Sequence, residues 1–137
     1  RACDARGENG GETTLGHLVV RAGRPLEVEG LSVGDSEAWC RDRHGWSELT
    51  QGQRRKPLLG SGRARPVPFV PRLGAERLLV VSDGLRTHAA WSEVLAVAEA
   101  DDTAVERVVE ALPSSHVRLI DDVSVLLLRP APAVRLP

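Results

Sequence analysis

The sequence predicts an α+β domain, an antiparallel β set with strands first, then two helices and a returning strand. Three observations predict it. Short β-branched and aliphatic runs separated by turn residues fill the first half, two stretches of helical apolar spacing lie between residues 89 and 112, and one more apolar run follows at 123–128. This order does not suit a doubly wound parallel sheet, in which strands and helices alternate.

Residues 1–12 are polar and Gly-rich, with Asn9-Gly10-Gly11 as a turn signal, and read as a loop or mobile terminus. Thr13 to Val20 resumes strand composition, Ala22-Gly23-Arg24-Pro25 breaks it, and Leu26 to Val33 alternates apolar with polar residues, which predicts a hairpin. Glu37 to Arg41 reads as a third short strand, with Arg43-His44-Gly45 as the turn into Trp46 to Leu49. The segment 51–71 is rich in Arg, Gly and Pro and reads as a long connection with one extended piece at Val67 to Val70.

Arg77 to Ser82 contains Leu78-Leu79-Val80-Val81, a continuous apolar run that predicts a central strand covered on both faces. Trp91, Val94, Leu95 and Ala98 recur at helical spacing within 89–100, as do Val105, Val108, Val109 and Leu112 within 104–112. Asp102 and Thr103 are the candidate caps of that second helix. Pro113-Ser114-Ser115 stops it, and Val123 to Leu128 is the returning strand. The domain so read spans 13–129, and 130–137 is a Pro-rich tail.

At 137 residues, 42% hydrophobic and 27% charged, the chain suits one folded domain. A formal net charge of −1 lacks the basic excess of a protein that binds nucleic acid through phosphates. No run of about 18 apolar residues predicts a membrane span, and no signal peptide is visible. Cys3 and Cys40 are too few and too far apart for a disulfide framework, so a reduced, cytoplasmic setting is the simpler reading. Lys56 is the single lysine, and Tyr and Met are absent, a codon bias that fits a GC-rich bacterial genome. The first residue is Arg1 rather than Met, which fits an origin within a longer protein.

Three acidic motifs sit beside predicted strands: Gly34-Asp35-Ser36, Ser82-Asp83-Gly84 and Asp121-Asp122-Val123-Ser124. Each alone reads as an ordinary turn whose Asp bonds its own backbone. Together they say more, because Asp83 ends one strand and Asp121 precedes another. If those strands are antiparallel neighbours, both carboxylates emerge at one sheet edge, where a cation relieves their repulsion. A hard divalent ion bound through oxygen, Mg²⁺ or Mn²⁺, is the natural partner.

On these and two further motifs the sequence resembles the PP2C or PPM metal-dependent serine/threonine phosphatases, in order from about Gly10 to Arg129. Gly11-Glu12-Thr13-Thr14 is similar to the family's Gly-x-Thr-Thr entry to a core strand, and Leu31-Ser32-Val33-Gly34-Asp35-Ser36 follows it. Leu49-Thr50 resembles the Leu-Thr after the hairpin, and Leu78 to Leu85 the metal-binding strand end. Asp121-Asp122-Val123-Ser124-Val125 resembles the closing motif.

The resemblance implies that Asp83 and Asp121 ligate one ion of a dinuclear Mg²⁺ or Mn²⁺ centre, with Asp35 as a third candidate. Asp122 and Gly84 would shape the turns around those ligands without touching metal. The implied activity is hydrolysis of phosphoserine or phosphothreonine in a phosphoprotein substrate by water activated between the ions. The implied site also needs a phosphate-binding Arg and an Asp-Gly-x-Gly-Gly motif from an N-terminal half, and these 137 residues contain no such motif. The resemblance therefore implies an antiparallel β-sandwich flanked by helices, here incomplete: a C-terminal portion that is inactive alone, with an uncovered sheet face as a surface for association. Glu37 departs from the family, which has Arg there. The alternative is a non-catalytic pseudophosphatase or a module that binds a protein or phosphopeptide.

The remaining residues have ordinary readings. His17, His44, His88 and His116 lack metal spacing, and no histidine or cysteine motif marks a nucleophile. Trp39, Trp46 and Trp91 read as core or helix-face anchors. The basic stretch from Gln53 through Arg65 reads as a solvated loop, without the interleaved aromatic residues that stack bases.

Overall fold

A computed structural model describes residues 11–23, 25–53, 55–100, 104–110 and 122–130. Among them the chain order is β1 (Leu15–Arg21), β2 (Leu26–Val33), β3 (Glu37–Asp42), β4 (Gly45–Glu48), β5 (Val67–Ala75), β6 (Arg77–Val81), α1 (Asp83–His88), α2 (Trp91–Ala100), α3 (Ala104–Glu110) and β7 (Val125–Leu128). The strands form two antiparallel sheets, ordered β1-β2-β5 and β4-β3-β6-β7.

The sequence periods explain how the layers stack. Side chains alternate across a strand, so the apolar run of β6 serves two cores at once. Leu78 packs between the sheets with Val28, Cys40, Phe69 and Ala75, while Leu79 and Val81 face the helices and meet Leu85, Val94, Ala98 and Val108. Leu78, Leu79 and Leu85 have no exposed surface. Burying each such side chain is worth roughly 1.5–3 kcal/mol, which makes β6 the axis of the molecule. All three tryptophans pack against the helix-side core, as their anchoring role requires.

Two differences from the sequence reading stand out. There are three helices among the described residues, because residues 83–88 wind into α1 where a turn is expected. The strand expected at 67–70 runs on to Ala75 despite Pro68 and Pro71. It lies at a sheet edge, where a missing N–H leaves no ladder bond broken. The candidate caps Asp102 and Thr103, Cys3, and the residues read as terminus and tail at 1–10 and 131–137 lie outside the described residues.

The connection 51–66 is pinned by reciprocal Thr13–Leu59 backbone bonds of 3.0 Å and by the Gln53 amide, which donates to the Gly34 carbonyl. The Arg41 guanidinium ties β3 to α2 through Glu99, at 2.7 Å, and also meets Glu76. These carboxylates hold it protonated more firmly than usual, the hydrogen bond to Glu99 being the largest cause. Leu15 and Val19 lie on the other side of the first sheet, about two-fifths exposed. No described helix is long and apolar enough to cross a membrane.

Candidate metal centre at a sheet edge

Strand register brings the acidic segments together. Glu37, the first residue of β3, pairs with Val81, the last of β6, and Val81 pairs with Val125, the first of β7. The start of β3, the end of β6 and the start of β7 therefore share one sheet edge. Asp35 lies two residues before that edge, Asp83 two residues beyond it, and Asp122 three residues before β7.

Ser82 fastens two of these segments. Its N–H donates to the Ser124 carbonyl at 3.0 Å, its hydroxyl donates to the Asp122 carbonyl at 3.1 Å, and that hydroxyl accepts the Ser124 N–H at 2.9 Å. The pairing of β6 with β7 thus continues past Val81 through a side chain. Ser82 is also the N-cap of α1, yet its hydroxyl makes no capping bond. A serine here ordinarily caps its own helix; this one is spent on the neighbouring strand.

Asp83 is the first residue of α1, a half-buried position whose negative charge suits a first helical turn. Buried Gly84 and Leu85 seat the helix against β6, and Thr87 donates to the Asp83 carbonyl at 3.1 Å. Its carboxylate has no hydrogen-bond or ion-pair partner among the described residues, so its oxygens are open to a hard cation. Asp122 is exposed and contributes its backbone carbonyl to Ser82. Asp121, the predicted co-ligand, lies outside the described residues, as does His116.

Asp35 follows Gly34, whose φ of 100° is open to glycine, and lines a small cleft of about 80 Å³ with Glu37, Glu48 and Arg55. Thr14 and Ser36 hydroxyls meet at 3.1 Å beside it. Among the described residues no three His, Cys, Asp or Glu side chains are grouped to hold an ion. The described donors are thus of the right chemistry for Mg²⁺ or Mn²⁺, contributed singly by separate segments.

A residue that sequence reasoning did not single out lies in the same region. Arg86, three residues along α1 from Asp83, pairs with Glu37 at 3.2 Å. Glu37 also accepts the Trp39 indole N–H at 2.8 Å, and the Arg86 guanidinium lies 4.4 Å from the Trp91 ring centroid. Trp39 and Trp91 themselves approach to 5.0 Å. Such cation–ring contacts are worth about 0.5–1 kcal/mol at exposed sites. The cluster ties α1 to β3 and α2, and gives the acid at position 37 a basic partner. The signal available was Glu37 itself, an unexpected acid requiring a nearby base.

No protein-family model matches the sequence, and no curated protein matches it in sequence. Solved structures do match in shape. A variant of a bacterial serine phosphatase superposes with a TM-score of 0.59 at 18% identity, covering 83% of this chain and 52% of that one. The serine/threonine phosphatase PstP/Ppp of Mycobacterium tuberculosis gives 0.57 at 19% identity, covering 73% of this chain and 53% of that one. The serine/threonine phosphatase Stp1 of Staphylococcus aureus gives 0.55 at 18%, covering 86% of this chain and 57% of that one. The chain spans about half the length of these structures. At such identities the likeness establishes the fold.

Proposed function

We propose that this chain, which has the fold of the PP2C-type serine/threonine phosphatases, contributes part of a metal-dependent site that hydrolyses phosphoserine or phosphothreonine in proteins. The observation that carries the reading is the Ser82 fastening, which sets Asp83 beside the segment that leads to β7 on a shared sheet edge.

In this reading Asp83 and Asp121 hold Mg²⁺ or Mn²⁺, with Asp35 as a further donor at the same edge. Ser82 fixes the spacing of the two segments, Asp122 supplies the carbonyl that Ser82 grips, and Gly84 lets α1 start tightly against β6. When bound, the ions supply a water acidified to near neutral pH and polarise the phosphoryl oxygens. The chain's own contribution is placement: carboxylates on strand and helix ends, supported by packed cores, hold their positions better than loop residues do. The remaining ligands and the phosphate-binding cation are proposed to come from an N-terminal half of the domain. Free, buried Cys40 suits a reducing, cytoplasmic setting.

The test is hydrolysis of a phosphoserine peptide with Mn²⁺ by the chain joined to such a half, alongside Asp83→Asn. Loss of turnover and of Mn²⁺ binding in the variant is expected; turnover without divalent metal, or undiminished in Asp83→Asn, would overturn the proposal. A second reading, a non-catalytic phosphopeptide-binding module, is favoured by Glu37, an acid paired with Arg86 at 3.2 Å where the resemblance implies Arg. It predicts peptide binding without turnover in the joined protein.

A further inference from the structure

We infer that the connection between β4 and β5 forms a cationic cleft that binds an acidic segment of the polypeptide substrate. The inference rests on the phosphatase reading and names what its substrate must carry. The chain as a whole is nearly neutral, with 18 basic and 19 acidic residues, yet residues 51–66 contain Arg54, Arg55, Lys56, Arg63 and Arg65 and no acid. Lys56, Arg63 and Arg65 line one cleft of about 380 Å³ together with Gly52, Pro57 and Val67. Arg21, Arg41 and Arg86 all have acidic partners, whereas among the described residues no carboxylate reaches the side chains of these three.

Clustered cations repel one another, and a bound polyanion relieves that repulsion. The loop is built to hold them. Besides the Thr13 and Gln53 bonds, the Arg63 N–H donates to the Ser61 hydroxyl at 3.1 Å, and Gly60, at a φ of 92°, crosses the Gly11 carbonyl too closely for any side chain. Residues of the segment 51–56 divide between two clefts: Gln51, Gln53 and Arg55 line the one containing Asp35, and Gly52 and Lys56 line the cationic one. The cationic cleft and the cleft containing Asp35 thus share the segment 51–56 as a wall. The occupant is a peptide rather than nucleic acid because residues 51–66 offer no aromatic ring for a base to stack on.

Fluorescence anisotropy of a labelled glutamate-rich peptide, with the full chain and without metal, tests this. Replacing Lys56, Arg63 and Arg65 together by Ser should weaken binding about tenfold, since each exposed ion pair contributes modestly. Added salt should weaken it as well. Asp83→Asn should bind the peptide as the parent does while losing Mn²⁺ binding, so failure of the cleft and failure of the metal site read out separately. All three positions that line the cleft with charge are exposed, and matching thermal melts exclude misfolding. Equal binding by the triple variant, equal binding of a glutamine version of the peptide, no binding at all, or tighter binding of single-stranded RNA would each overturn the inference.

Discussion

Ser82 and Ser124 are bonded to each other twice, once through the Ser82 N–H and the Ser124 carbonyl at 3.0 Å and once through the Ser124 N–H and the Ser82 hydroxyl at 2.9 Å. A hydroxyl that also donates to Asp122 cannot be lost quietly. Ser82→Ala should cost about 1–2 kcal/mol in urea denaturation. If this bond sets the spacing of the segments proposed to bind metal, Mn²⁺ affinity by calorimetry should fall at a temperature where the variant remains folded.

Asp83→Asn should separate stability from ligand binding. Because no described partner is lost, the metal-free stability should stay within about 0.5 kcal/mol of the parent. The rise in melting temperature with Mn²⁺, expected of a ligand that binds the native state alone, should disappear. A melting temperature that rises equally in both proteins would remove Asp83 from the site.

Glu37→Arg sets a second cation against Arg86 and takes the acceptor from the Trp39 indole. It should destabilise the chain by about 1 kcal/mol, and Arg86→Glu in the same chain should recover part of this, a coupling measurable in a double-mutant cycle. No recovery would mean that the pair at 3.2 Å is an incidental surface contact.

Gly30 lies where a Cβ would meet the His17 carbonyl oxygen at 2.2 Å and the Phe69 ring at 2.6 Å. Gly30→Ala should therefore force the first sheet apart locally and cost about 2–3 kcal/mol. Gly45→Ala is the control, since at a φ of 112° with nothing within 4 Å it incurs backbone strain alone, of about 1 kcal/mol. Chemical denaturation of both variants separates the two effects.

Arg41 carries a pH prediction. Its folded-state pKa is raised by Glu99 first, then Glu76, so its contribution is complete below the unfolded pKa and is lost as pH climbs through the higher folded value. The destabilisation caused by Arg41→Gln should therefore be constant across the neutral range and shrink on the alkaline side in strongly basic solution. A deficit that varies between mildly acidic and mildly basic pH would point to a different partner.

Much of the fold was legible because its strands obey their period. Leu26 and Val28 mark the inward face of β2, and the unbroken run of β6 announced a strand with cores on both sides. α1 was not legible, since six residues give too little periodicity and Asp83-Gly84 reads as a turn. The pairing of β2 with β5 and of β3 with β6 depends on contacts far apart in sequence, which local patterns do not encode. For the site, the shared edge of the Asp83 and Asp122 segments follows from strand order, whereas the Arg86–Glu37 pair needs α1 to exist first. The metal roles of Asp83, Asp121 and Asp35 rest on the resemblance and on the experiments above.

The two indoles beside Arg86 make the chain its own spectroscopic probe. With three Trp and no Tyr, near-ultraviolet emission comes from indole alone, and Trp39 and Trp91 sit against a guanidinium on the helix that Asp83 begins. A charge arriving at Asp83 changes the field at those rings through one turn of helix. The proposed binding of a divalent ion at the edge can then be tested in unlabelled protein by quenching, in real time and at micromolar dilution.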